Sequence, residues 1–290
     1  MLALAVSTGL AAVQPQRGQL SEALRGALKF HASFDGTLAA SHAAGDPALY
    51  WAPTLKQRQE AKPGLPASGE VQHAIGAGRF GDALRFTSRK SPVVFFHGDR
   101  NMPYAAANWS GTVSFWLSTD PERQLEPGFC DPVQITPRAW NDAAFFVEFE
   151  KRPEGIPFRL GAYANLDVWN PTKRRFADIP AAERPLIAVE KPPFAAGKWT
   201  HVLFTFERFN TGAADGVVRL SLDGEPRGAL SPRQQTFTWD PQQTLIALGL
   251  SYIGLIDEIA TFDRVLTEAE IRTLHSVKEP LTLSPPREKE

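Results

Sequence analysis

Proline and glycine punctuate this chain so often that long helices have nowhere to form. Twenty-four prolines and 22 glycines fall at short intervals through most of the 290 residues, and a proline inside a helix removes a hydrogen bond and clashes with the preceding turn. Between the breaks, apolar residues alternate. Leu28, Phe30, Ala32 and Phe34 fall on one side of a segment whose other side is Lys29, His31 and Ser33, the period of a half-buried strand. The same alternation runs through 111–118 (Val113, Phe115, Leu117), 143–150 (Phe145, Val147, Phe149 against Phe146, Glu148, Glu150), 158–163, 198–206, 244–250 and 254–262. Asp223-Gly224 lies between two further alternating runs, 217–222 and 227–230, a strong hairpin signal. One helix is expected at the C-terminal end, where Thr267 can cap and Glu270, three residues on, completes a capping box. Many short strands with one terminal helix predict an all-β fold of two antiparallel sheets packed face to face.

Composition narrows the function classes. Charged residues are 22% and hydrophobic residues 43%, enough apolar surface for a sizeable core. A net charge of −1 with scattered Lys and Arg offers no basic face for a phosphate backbone, so nucleic acid is excluded as a partner class. The single cysteine, Cys130, forms no intrachain disulfide and no thiolate zinc site, and reads as a buried, inert thiol. Residues 1–20 open on an apolar run of small residues that reads as the remnant of a secretory signal, without its basic start. That run is shorter than the roughly 20 apolar residues a membrane span takes. The expectation is an exported protein (secreted, periplasmic or cell-surface) with one domain over 27–276 and a disordered tail over 278–290.

Five pieces occur in a specific order: Phe34-Asp35-Gly36-Thr37, then 111–117, then Lys198-Trp199-Thr200-His201-Val202, then Asp223-Gly224, then Gly254-Leu255-Ile256-Asp257-Glu258-Ile259 followed by 266–271. Together they resemble the laminin-G-like jelly roll of the concanavalin A-like lectin/glucanase superfamily, over most of residues 28–275. The departures are long insertions at 41–82, 121–142 and 165–196. The resemblance implies a β-sandwich jelly roll whose ligands bind on a curved sheet face or on the loops at its rim. It also implies a structural calcium ion held by Asp257 of the last strand and Asp35 near the first. Hard oxygen ligands in irregular geometry suit calcium. On their own, the residues leave another account open, in which Asp35 shapes a turn and Asp257 is a solvated or salt-bridged strand residue.

Laminarinase-type hydrolases of the same superfamily place two carboxylates on alternate positions of one strand. Glu148 and Glu150 share a face here, but the Glu, apolar, Asp, apolar, Glu pattern is not met, so the pair reads as a solvated face and no catalytic residue is assigned. Tryptophans in polar loops point elsewhere. An indole can stack on the C–H face of a sugar while neighbouring polar groups bond its hydroxyls. Trp140 with Asn141 and Asp142, and Trp169 with Asp167 and Asn170, are the candidate ligand residues. The competing account makes these rings staples that hold long loops to the sandwich. A non-catalytic, carbohydrate-binding module leads. A structural or adhesion domain of a cell-surface assembly is second, and a glycoside hydrolase a distant third.

Overall fold

The computed structural model describes residues 21–281; the leader reading of 1–20 and most of the expected tail, 282–290, lie outside them. Two antiparallel sheets form a sandwich. The first runs, in spatial order, Glu225–Arg233, Gly216–Leu222, Trp199–Phe209, Trp109–Ser118, Gly254–Phe262, Leu28–Ala32 and His42–Ala43, with Ala83–Phe86 and Val71–Ala74 added beside the start of Gly254–Phe262. The second runs Leu186–Val189, Phe158–Tyr163, Ala144–Lys151, Gly128–Thr136, Leu245–Leu250, Val93–His97, Tyr50–Ala52 and Lys62–Pro63. The chain crosses repeatedly between the sheets, so each buries its inward-facing alternate residues against the other.

Val113, Phe115 and Leu117 from the first sheet and Phe145, Val147 and Phe149 from the second all enter one continuous core. Trp109 sits near its centre, edge-on to Phe145, Phe206, Phe209, Phe237 and Trp239 at centroid distances of 4.6–6.0 Å. The hairpin closes as expected, with Leu222 opposite Glu225 and positive φ at Asp223 (53°) and Gly224 (78°). Glu268–Ser276 is a helix with both halves of the capping box formed. It packs Ile271 and Leu274 with Leu28, Leu203 and Phe262 on the outer side of the first sheet, and a short helix, Glu22–Ala27, joins them. His201 is buried under this layer, where its Nε2 pairs with Ser114 Oγ at 2.8 Å and desolvation holds its pKa down at about 3.

The three insertions differ from their expected irregularity. Segment 41–82 contributes short strands to both sheets, and 121–142 contains Gly128–Thr136, a central strand of the second sheet. Segment 165–196 holds a helical turn, Leu166–Trp169, and the edge strand Leu186–Val189. At the far end Leu281 packs with the helix layer, and its N–H donates to Glu258 (3.4 Å).

Candidate functional site

Strand alternation gives the second sheet an outer face as well as an inner one. Phe145, Val147 and Phe149 turn inward, so Phe146 and Glu148 of the same strand turn away from the core. A cleft of about 200 Å³ opens on that outer face, lined by Phe129, Asp131, Trp140, Phe146, Glu148, Arg159, Tyr163 and Phe176. Three local devices shape it.

The first is a β-bulge. Cys130 pairs with Phe149 and Val133 with Val147, so Asp131 and Pro132 together stand opposite the single residue Glu148. Proline has no N–H to give the ladder, which makes a bulge its natural place in a central strand. The bulge brings the Asp131 carboxyl to the cleft beside Glu148. The second is Gly161, the register partner of Phe146. A Cβ at 161 would lie well inside van der Waals contact of the Phe146 ring tip, so glycine is what lets that ring stand there. The third is the loop aromatics. Trp140, on the turn between Gly128–Thr136 and Ala144–Lys151, stands edge-on to Phe146, Tyr163 and Phe176 at 5.5–6.0 Å and stays 41% exposed.

The floor is charged. Arg159 donates from Nη2 to Glu148 Oε1 and from Nη1 to Glu150 Oε2, both at 2.6 Å, while its guanidinium lies 5.1 Å from the Phe129 ring centre. The Glu148–Glu150 face is therefore not solvated as the sequence suggested: Glu148 is 7% exposed and locked to Arg159. Burial raises the Glu148 pKa against the pull of Arg159, and burial together with the Glu148 charge pushes Asp131 well above the usual carboxylate range. Tyr163, fully buried at the back of the cleft, has its hydroxyl pKa raised by desolvation, and that hydroxyl has no hydrogen-bond partner among the described residues.

The tryptophan candidates are brought into one region with divided roles. The Trp169 ring packs edge-on against Tyr163 at 4.8 Å, and its Nε1 donates to the Asn141 carbonyl (2.8 Å). Asp142 accepts from the Leu166 N–H (3.0 Å) and from Arg138 (3.2 Å), tying the Trp140 turn to the Trp169 turn. Asn170 is buried and bonds the Arg174 main chain through both ends of its amide. Asp167 is exposed, without a hydrogen-bond or ion-pair partner among the described residues. Trp140 thus lines the cleft, whereas Trp169, Asn141, Asp142 and Asn170 brace it from behind. Asp131, Phe129, Phe146, Arg159, Tyr163 and Phe176 were not among the sequence candidates.

Asp35 and Asp257 meet at the 76–82 loop. Asp257 Oδ2 accepts from the Arg79 and Phe80 N–H groups (2.7 and 3.3 Å), its Oδ1 accepts from the Glu258 N–H (2.8 Å), and Asp35 Oδ1 accepts from the Asp82 N–H (2.8 Å). Asp257 is wholly buried, and desolvation reinforced by the Glu258 charge raises its pKa to about 8. Asp82 and Glu258 pair with His73 and His31, while Asp35 and Asp257 have no cationic partner among the described residues. Asp35 Oδ2 accepts no hydrogen bond among the described residues, but no group of three or more His, Cys, Asp or Glu side chains there is placed to hold a metal ion, so a calcium ion would need main-chain oxygens as well. The bonds formed here are those that brace the loop.

No curated protein matches the chain. Among solved structures, the chain is similar to the binding domain of botulinum neurotoxin DC in complex with SialylT, with a TM-score of 0.56 and 12% identity over 88% of this chain and 52% of that one. It is similar to the binding domain of Paraclostridial Mosquitocidal Protein 1, with a TM-score of 0.52 and 13% identity over 87% and 52%. A third similar structure, of botulinum neurotoxin type C, whose cell entry depends on interaction with two ganglioside molecules, has a TM-score of 0.57 and 12% identity over 89% and 53%. The chain spans about half the length of these neighbours, and likeness at this identity shows a shared fold. The family model Laminin_G_3, of the Concanavalin A-like lectin/glucanases superfamily, matches residues 105–272, more than half of the sequence. The two-sheet jelly roll, the ordered motifs and this match have one conclusion: the chain belongs to the Laminin_G_3 family of the concanavalin A-like superfamily.

Proposed function

We propose that this domain is a non-catalytic carbohydrate-binding module whose ligand lies in the cleft on the outer face of the second sheet. The observation that carries the reading is an aromatic-walled cleft with a polar floor, its rim ring Trp140 partly exposed while the rings behind it are packed. Sugar recognition combines such apolar surfaces for stacking with a few fixed polar groups for orientation. The neurotoxin structures in complex with SialylT or dependent on gangliosides lend the reading support from the same fold. Export to the cell surface or beyond belongs to the same proposal.

One observation favours a hydrolase as the second reading: Asp131 and Glu148 both carry raised pKa values in a cleft, the pattern of catalytic carboxyl groups. Against it, Glu148 and Glu150 are both committed to one arginine. Incubation with neutral and charged polysaccharides, followed by reducing-sugar assay, separates the readings. No release with retained glycan binding is the expected result. Turnover that disappears in Glu148→Gln would make the domain an enzyme.

Calcium at Asp35 and Asp257 is part of the proposal as a structural ion. Binding to the folded state alone raises the melting temperature by mass action. The expected result is a calcium-dependent rise in the wild type that is absent in Asp257→Asn; identical melting curves in calcium and in chelator would remove the ion from the account.

A further inference from the structure

The floor of the cleft holds more acidic groups than basic ones. Among its lining residues Asp131 and Glu148 are acidic and Arg159 is the single cation. Both terminal nitrogens of Arg159 are engaged, one by Glu148 and one by Glu150, and only its buried Nε is left without an acceptor, so it offers no two-pronged fork to an anionic ligand. The Asp131 side chain has no hydrogen-bond or ion-pair partner among the described residues. The Tyr163 hydroxyl, in the lining of the same cleft, is likewise unpartnered, and it is completely buried. Unpartnered polar groups at the back of an apolar cleft are costly to leave dry and are satisfied by a ligand that donates to them.

The walls agree with the floor. Aromatic ring faces carry negative potential and attract cations, and two guanidinium groups already sit on rings of this cluster: Arg159 on Phe129 at 5.1 Å and Arg184 on Phe176 at 4.4 Å. Trp140, Phe146 and Tyr163 form the remaining wall, with Phe146 and Tyr163 stacked at 5.5 Å and Trp140 edge-on to both. Rings around an acidic floor form the arrangement that recognises organic ammonium groups.

We propose that the cleft selects sugars bearing a free, positively charged amine, with Asp131 receiving the ammonium and the Trp140 rim packing against the ring. This rests on the carbohydrate reading and narrows it to amino sugars. Acidic sugars are disfavoured at the floor, where Asp131 and Glu148 stand and the Arg159 guanidinium is already engaged by Glu148 and Glu150; Arg184, on the Phe176 ring, is the nearest cation without a carboxylate partner among the described residues. Capping the amine with an acetyl group removes the charge and weakens binding.

Calorimetric titration of the full chain at fixed ionic strength tests this with four probes: oligomers of glucosamine, oligomers of N-acetylglucosamine of the same length, oligogalacturonate, and tetramethylammonium. The expected result is binding of the glucosamine oligomer about tenfold tighter than its acetylated counterpart, the order of a desolvated cation–ring and carboxylate contact. Asp131→Asn, which keeps the shape of the side chain, should erase that preference while its unfolding midpoint shows the fold intact. Equal affinity for the two glucosamine series, or tighter binding of oligogalacturonate, overturns the amine preference and leaves the carbohydrate reading standing. Tetramethylammonium binding with no sugar retained supports the cation site and removes the carbohydrate reading. Absence of binding by all four probes overturns the amine preference.

Discussion

Two tryptophans that look alike in the sequence have different work in the fold. Trp140 stands at the rim of the cleft, 41% exposed, whereas Trp169 is clamped by its indole bond to Asn141 and its contact with Tyr163. Trp140→Ala should weaken glycan binding by about 1–2 kcal/mol, the order of an aromatic contact with its buried area, and shift the unfolding midpoint little. Trp169→Ala should cost about 2–3 kcal/mol of folding free energy, below the roughly 3–5 of a wholly buried large ring. Denaturation midpoints and glycan affinities on the same two variants check both statements; equal effects on stability would erase the distinction. The sequence raised both uses, a sugar platform and a loop staple, and the fold divides them between the two rings. It could not do so itself, because the exposure of an indole depends on strands far away in the chain.

At the level of elements, legibility followed local chemistry. The Asp223-Gly224 hairpin and the Thr267–Glu270 capping box depend on residues a few positions apart, and both form as read. The strand Gly128–Thr136 lay hidden inside the 121–142 insertion, and only its partners on either side, Ala144–Lys151 and Leu245–Leu250, make a bulged strand of it. With that strand went Asp131, and with Asp131 the floor of the cleft. Pro132 between Cys130 and Val133 was the available signal, since proline in an otherwise apolar strand marks a bulge. Gly161 lies on the neighbouring strand and is the simplest handle on the cleft's shape. Gly161→Ala should displace the Phe146 ring, whose tip occupies the space a Cβ would need, and so reduce ligand affinity several-fold while the sandwich stays folded. Binding unchanged in that variant would mean that Phe146 is no part of the site.

On the scale of the whole molecule, the first sheet is covered on its outer side by the Glu22–Ala27 and Glu268–Ser276 helices, while the second leaves the cleft open on its own outer side. A sandwich can use one sheet for closure and the other for recognition because each strand presents alternate residues to opposite faces. The fold class was legible from alternation and breakers, and the family from the order of five short motifs. The site was not, because its residues come from three neighbouring strands and two loops that only the register of the second sheet brings together. Among the described residues no helix is long and apolar enough to cross a membrane. The alternative place for a ligand is a polar hollow elsewhere on the molecule, lined by Gly45, Asp46, His97, Asp99, Arg100 and Gln242. Nuclear magnetic resonance mapping during titration with a glucosamine oligomer decides between the two places and tests the central claim directly. The account predicts that the Trp140 indole and the main-chain amides of Asp131, Phe146, Glu148 and Arg159 shift together while the core Trp109 indole stays still. Shifts confined to residues 45–46 and 97–100, with the Trp140 indole unmoved, would contradict it.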